Sequence, residues 1–233
     1  AGPFLAHEAE GVPLLTDLPS LLDIAGRAER DTASLPDLTR LVHAGGSLGG
    51  ARPKAHVRTS DGALAIAKFP SADRDTWDVM ACEHVLLTLA GSAGIDVPRS
   101  ELLKVADRSV LIVRRFDRRV VDGDEMRIGY ASAMTMLEAS DGDAASYLDI
   151  AAVVEERSDR ASIELEQLWR RALFSTLAGN TDDHLRNHGF LHQPARDLCT
   201  PFTIQISMDF PVWKTTFWLM RYRNFLVCSA DVW

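Results

Sequence analysis

Strand-like segments, alternating at Ala55, Val57 and Thr59 and apolar over 63–67 and 110–113, gather ahead of residue 117, whereas beyond residue 124 apolar side chains recur every three to four positions; this switch constrains the fold most. Ala55, Val57 and Thr59 keep the two-residue period, the turn pair Asp61-Gly62 follows, and Ala63-Leu64-Ala65-Ile66-Ala67-Lys68-Phe69 returns as a second strand. Two more strands are expected over 101–105 and 109–116. Past the polar break Val120-Val121-Asp122-Gly123-Asp124, helices are expected over 131–139 and 147–154, with a longer one capped by Ser162 and running through Leu177. Leu165, Leu168, Trp169, Ala172, Leu173 and Leu177 keep the helical period and are expected to be its buried face. Amphipathic helices over 14–30 and 36–42 precede the strands, and one over 76–90 lies among them. Strands gathered ahead of helices predict an α+β fold of two lobes: residues 1–121, rich in strand, and residues 122–233, helical.

Composition narrows the function. The chain has 233 residues, enough for a real core, and a net charge of -8, which argues against a general nucleic-acid-binding surface. No apolar run approaches a membrane span, and no basic-then-apolar export signal opens the chain. Cys82, Cys199 and Cys228 are odd in number and lack metal spacing, so a reducing cytoplasm is the expected compartment. The absence of an initial methionine suggests that the sequence starts inside a longer protein.

Two stretches carry chemistry. The first is Ala44-Gly45-Gly46-Ser47-Leu48-Gly49-Gly50-Ala51-Arg52-Pro53-Lys54, a glycine-rich loop ahead of a strand, where successive amides can cradle phosphate. Lys68 ends the following strand, as the lysine that reaches nucleotide phosphates does in kinases. Glu83, in mid-helix, is either its ion-pair partner or a solvated surface acid. The second stretch is Asn180-Thr181-Asp182-Asp183-His184-Leu185-Arg186-Asn187-His188-Gly189-Phe190-Leu191. Asp182 and Asn187 stand five apart, the interval at which a kinase places a base for the attacking hydroxyl and an amide oxygen for a metal ion. A metal-hydrolase reading competes, because His184, His188 and His192 would share one helix face. It ranks lower, since Gly189 and Pro194 interrupt such a helix and no glutamate follows the first histidine.

Taken with Arg115-Phe116-Asp117-Arg118 at the end of the fourth strand, these motifs in this order resemble the HipA-like serine/threonine kinases, toxins of bacterial toxin–antitoxin pairs. The likeness runs from about Leu14 to Leu191. It implies a two-lobed kinase-like fold and ATP with Mg2+ as cofactors. It implies Asp182 as catalytic base, His184 as a holder of the loop and Asn187 as a magnesium ligand. Nucleotide contacts would come from Ser47, Gly49, Gly50, Ala51, Lys54, Lys68, Arg115 and Phe116, with Ser47 also the site of autophosphorylation. The implied substrate is a bacterial protein of translation, such as an aminoacyl-tRNA synthetase, and the implied partner a HipB-like DNA-binding antitoxin.

The sequence departs from that family at one place. A second metal-binding aspartate is expected after Thr200-Pro201-Phe202, but Thr203-Ile204-Gln205 stands there; Asp209 arrives several residues late and would serve as the metal ligand only with the loop re-routed. The family's C-terminal helices are absent and the tail is atypical, with Trp213, Trp218 and Trp233 among few acids. The alternative is therefore a catalytically weak or inactive binding module that recognises an antitoxin or other partner. A small-molecule kinase is a third reading, which leaves Ser47 beside the glycines unexplained.

Overall fold

Along Lys54–Arg58 (β1) Ala55 and Val57 turn inward, and a turn bonded from Gly62 N to Thr59 O at 2.8 Å returns the chain as Leu64–Lys68 (β2). The computed structural model describes residues 11–45, 52–121, 124–180, 182–192 and 202–204. Ser100–Val105 (β3) and Arg108–Arg114 (β4) complete an antiparallel sheet of order β1-β2-β4-β3. On one face Ala55, Val57, Ala65, Ala67, Val110 and Ile112 form a core with Leu18, Leu21, Leu22 and Ala25 of the helix Leu18–Glu29 (α1). Alanines on the strands let the helix approach closely, so its leucines fill the layer. The helix Leu35–Gly45 (α2) starts where Asp37 accepts from Ser34 N at 3.1 Å and Ser34 Oγ at 2.6 Å.

The chain divides into two compact units: residues up to 81 together with 99–115, and 82–98 together with 116 onward. The helix Val79–Ser92 (α3) starts at a cap in which Asp78 Oδ1 accepts from Ala81 N at 3.0 Å, three residues later than the apolar pattern alone predicts.

In the second unit, Arg118–Val121 (β5) and Asp124–Arg127 (β6) pair as a hairpin at the polar break. Gly129–Ser132 (β7), Gly189–His192 (β8) and Phe202–Ile204 (β9) form an antiparallel sheet in that order. Its helices are Ala133–Met136 (α4), Tyr147–Arg157 (α5) and Ala161–Leu177 (α6). The helix expected over 131–139 is thus mostly not formed, because Tyr130 and Ala131 pair with Leu191 and Phe190 in the sheet.

Two expectations for α6 are overturned. Its N-cap is Arg160, without a side-chain cap, and Ser162 lies within the first turn. Its buried face is Glu164, Leu168, Arg171 and Ser175, whereas Trp169, Leu173 and Leu177 are exposed at 63%, 44% and 59%. The reason is polar. Gln167 accepts from Asp96 N and donates to Gly94 O, both at 3.0 Å, Arg170 donates to Ala93 O at 2.9 Å, and Arg171 donates to Asp96 O at 2.8 Å. These bonds turn the polar face of the helix toward the segment after α3. Burial pushes the Arg171 guanidinium down to about 10, against the pull of Asp96 and Glu164. No helix among the described residues is long and apolar enough to cross a membrane.

Candidate active site

α6 ends in a paired turn. Asn180 N donates to Ser175 O at 2.9 Å and Gly179 N to Thr176 O at 3.1 Å, with Gly179 at φ +67, the left-handed conformation that closes helices in this way. The turn delivers the chain into the polar loop. There Asn180 Oδ1 accepts from Asp182 N at 3.1 Å. Leu185–Asn187 forms a single 3-10 turn, and Asn187 N donates to His184 O at 2.8 Å.

Asn187 Nδ2 donates to the Asp182 carbonyl at 2.6 Å. Only the NH2 end of an amide can face a carbonyl oxygen, so this bond fixes the side chain and assigns its Oδ1 to the other direction. Asn187 is buried while Asp182 is exposed. A half-immobilised amide oxygen, a hard donor suited to Mg2+, therefore stands on the same loop as a solvent-facing carboxylate. His184 is exposed, and its contribution to the loop is its carbonyl.

A second pair is interleaved with the first. His188 Nε2 donates to Asp183 Oδ1 at 2.7 Å, and the Tyr147 hydroxyl donates to Asp183 Oδ2. The Tyr147 ring meets the His188 ring edge-on, centroids 5.3 Å apart, and Ser175 lies beside the Tyr147 hydroxyl and the Asp183 carboxylate. Burial alone would raise the Asp183 carboxyl, but the donors His188 and Tyr147 outweigh it and hold it below the usual carboxylate range. Burial, then the bond to Asp183, push the Tyr147 phenol upward. Sequence reading assigned no role to Asp183 or Tyr147. The available signal was that Asp183 and His188 repeat the five-residue interval of Asp182 and Asn187, one position on.

The histidine face of the metal-hydrolase alternative does not exist. His184 precedes a 3-10 turn, His188 is buried against Asp183, and His192 lies on strand β8, so no helix aligns them. Among the described residues no group of histidines, cysteines and acids has the arrangement of a metal site.

Lys54 and Lys68 are register partners across β1 and β2, so their side chains share the sheet face opposite α1. Lys68 is 9% exposed, which sets aside the reading of a solvated strand-end lysine. Glu83, at 4% exposed, is likewise not a solvated surface acid. Arg115 donates from its guanidinium to His56 Nε2 at 2.7 Å and from its backbone to Leu64 O at 3.0 Å. Phe116 packs against Tyr130 with ring centroids 6.0 Å apart. Ser47, Gly49, Gly50, Ala51 and Asp209 lie outside the described residues.

Residues 46–203 match the family described as the HipA-like C-terminal domain. The protein named Putative kinase Y4mE of Sinorhizobium fredii is 29% identical over 209 residues, covering 78% of this chain and 48% of that protein. Among solved structures, the Shewanella oneidensis HipA, in a complex with HipB and operator DNA, aligns with TM-score 0.61 at 19% identity over 89% of this chain and 52% of its own. The Helicobacter pylori proinflammatory kinase CtkA aligns with TM-score 0.52 at 18% identity, over 72% of this chain and 56% of its own. The mixed α/β fold is thus similar to those of HipA and CtkA, and the chain spans about half the length of these relatives.

Proposed function

The chain belongs to the HipA-like C-terminal domain family, and from that premise we propose that it is an ATP- and Mg2+-dependent protein serine/threonine kinase. The observation that carries the reading is the bond from Asn187 Nδ2 to the Asp182 carbonyl, which ties the orientation of the amide to the residue bearing the carboxylate. Asp182 accepts the proton of the substrate hydroxyl; its exposure gives a protein side chain access. Asn187 Oδ1 holds magnesium, which when bound neutralises charge on the nucleotide phosphates. Lys68 and Lys54 bind phosphate oxygens, with Lys68 constrained by burial. The glycine-rich loop covers the phosphates, and phosphate added to Ser47 withdraws it. The protein substrate belongs to translation, an aminoacyl-tRNA synthetase being the expected kind, and a HipB-like antitoxin is the expected partner, as HipB accompanies HipA in the Shewanella complex.

The test is phosphate transfer from labelled ATP, to protein and to the peptide containing Ser47, by the parent chain and by Asp182→Asn. Because Asp182 is exposed, the variant should keep its melting temperature and lose transfer by at least ~10³-fold. Equal transfer by both would overturn the assignment.

One observation favours a second reading, a binding module with little turnover. β9 ends at Ile204 and Gln205 follows, where the second metal-binding aspartate is expected. Melting with ATP separates the two: a shift that needs Mg2+ supports the kinase, and none in either condition supports the module.

A further inference from the structure

We propose that Asp183 is a positioning residue for phosphoryl transfer: clamped by Tyr147 and His188, its carboxylate fixes the backbone from which Asp182 projects and to which Asn187 is bonded. The inference rests on the kinase reading for its rate effect, but not for its structural effect. Asp182 and Asp183 are adjacent and turn opposite ways, one to solvent and one inward. The inward one is held from both sides of the loop. Tyr147 stands in the first turn of α5, whose start is locked by Asp149 accepting from Ser146 N and Oγ at 2.7 and 2.8 Å. His188 leads directly into β8, and its carbonyl accepts from Ala133 N at 2.8 Å.

A carboxylate held partly out of water is a poor choice if the site only needs filling, since an apolar side chain of similar size packs there at less cost. What it adds is direction. Two bonds to its two oxygens define the plane of the carboxylate and so the path of the main chain at Asp183. Among the described residues Asp182 has no such side-chain anchor; its bonds there are the backbone N to Asn180 and the carbonyl to Asn187. Its placement therefore follows from the residue beside it, and displacement of a reacting group by about an ångström costs on the order of 10² in rate.

The experiment uses the full chain with Asp183→Ala, Asp183→Asn, Tyr147→Phe and the double variant Asp183→Ala/Tyr147→Phe. Asp183→Ala is expected to lower kcat by roughly 30- to 100-fold with KM for ATP within about threefold. Asp183→Asn, which keeps an acceptor for Tyr147, should recover part of that rate. The double variant should be no slower than Asp183→Ala, because Tyr147 acts through Asp183. Leu168→Ala, which opens a cavity in the same unit, serves as the control: it should lower the melting temperature and leave kcat of the folded enzyme unchanged. Amide hydrogen exchange over 180–191 gives a readout without turnover, with faster exchange at Asp182 and Asn187 expected in Asp183→Ala and no change within α3. Unaltered exchange at those amides, a parental kcat in Asp183→Ala, or additive losses in the double variant would each overturn the proposal. If Asp182→Asn transfers phosphate like the parent, it is the catalytic reading that fails, and exchange alone then decides whether Asp183 anchors the loop.

Discussion

Lys54 and Lys68 stand directly opposite one another on β1 and β2, on the face of the sheet that α1 does not cover. A polyanion bound along that face would meet both lysines. Lys68→Met is therefore expected to weaken ATP binding at least ~10-fold and to lower kcat/KM by on the order of 10² to 10³. Lys54→Met, at the less buried site, should lower it by about tenfold. Titration with a fluorescent ATP analogue checks both, and parental affinity in Lys68→Met would remove the lysine from the nucleotide site.

Asn187 gives a sharper test, because the proposed kinase assigns its two side-chain atoms different tasks. In Asn187→Asp an oxygen remains for magnesium, but an acceptor now faces the Asp182 carbonyl in place of a donor. A cost of about 1–3 kcal/mol in urea unfolding is expected. Asn187→Ala should instead raise the magnesium concentration for half-maximal transfer by at least ~10-fold. If Asn187→Asp unfolds like the parent, the bond to the Asp182 carbonyl contributes nothing.

The clamp also predicts a pH dependence. Asp183 in the folded chain has a lowered pKa, so as pH falls below the ordinary carboxylate value the unfolded chain binds a proton there before the folded chain does. The contribution of Asp183 is thus fully present above about pH 5 and is lost as pH falls through the folded value. Asp183→Asn should flatten the fall in stability below about pH 5, as followed by chemical unfolding at each pH. An unchanged acid limb in the variant would show that the carboxylate carries no differential interaction.

Gly189 opens β8 where a side chain has no room. A Cβ there would lie 2.1 to 2.3 Å from the far end of the Tyr130 ring, the ring that also packs on Phe116. Tyr130 is 41% exposed and can swing out, so Gly189→Ala is expected to cost only about 1–2 kcal/mol, mainly through the lost ring contact. In a Tyr130→Ala background the same substitution should cost almost nothing. Additive penalties in that pair of variants would place the clash elsewhere.

The strands were legible because their signal is local. Ala55 and Val57 alternate, Asp61-Gly62 turns, and the paired strands bury the inward residues. The loop from Asp182 to Asn187 was legible for the same reason, as its geometry is closed by bonds between residues five apart. α6 was misread because the sequence rule assigns apolar side chains to the interior, whereas here main-chain groups at Ala93, Gly94 and Asp96 recruit Gln167, Arg170 and Arg171. No periodicity reports a partner more than seventy residues away. Tyr147 was missed on similar grounds: it meets Asp183 from another helix, and only folding joins them.

The division of the chain bears on its synthesis. Residues 82–98 belong to the second unit yet sit in sequence between two segments of the first. The sheet cannot complete its β2–β4 pairing until the ribosome has passed Arg114, with α3 and its following turn emerging before the helix that holds them. A nascent chain arrested anywhere in that interval lacks β4 and exposes β2, an apolar edge strand. Dissection of this protein into fragments must therefore keep residues 82–98 with both of their neighbours, since no single cut separates the two units.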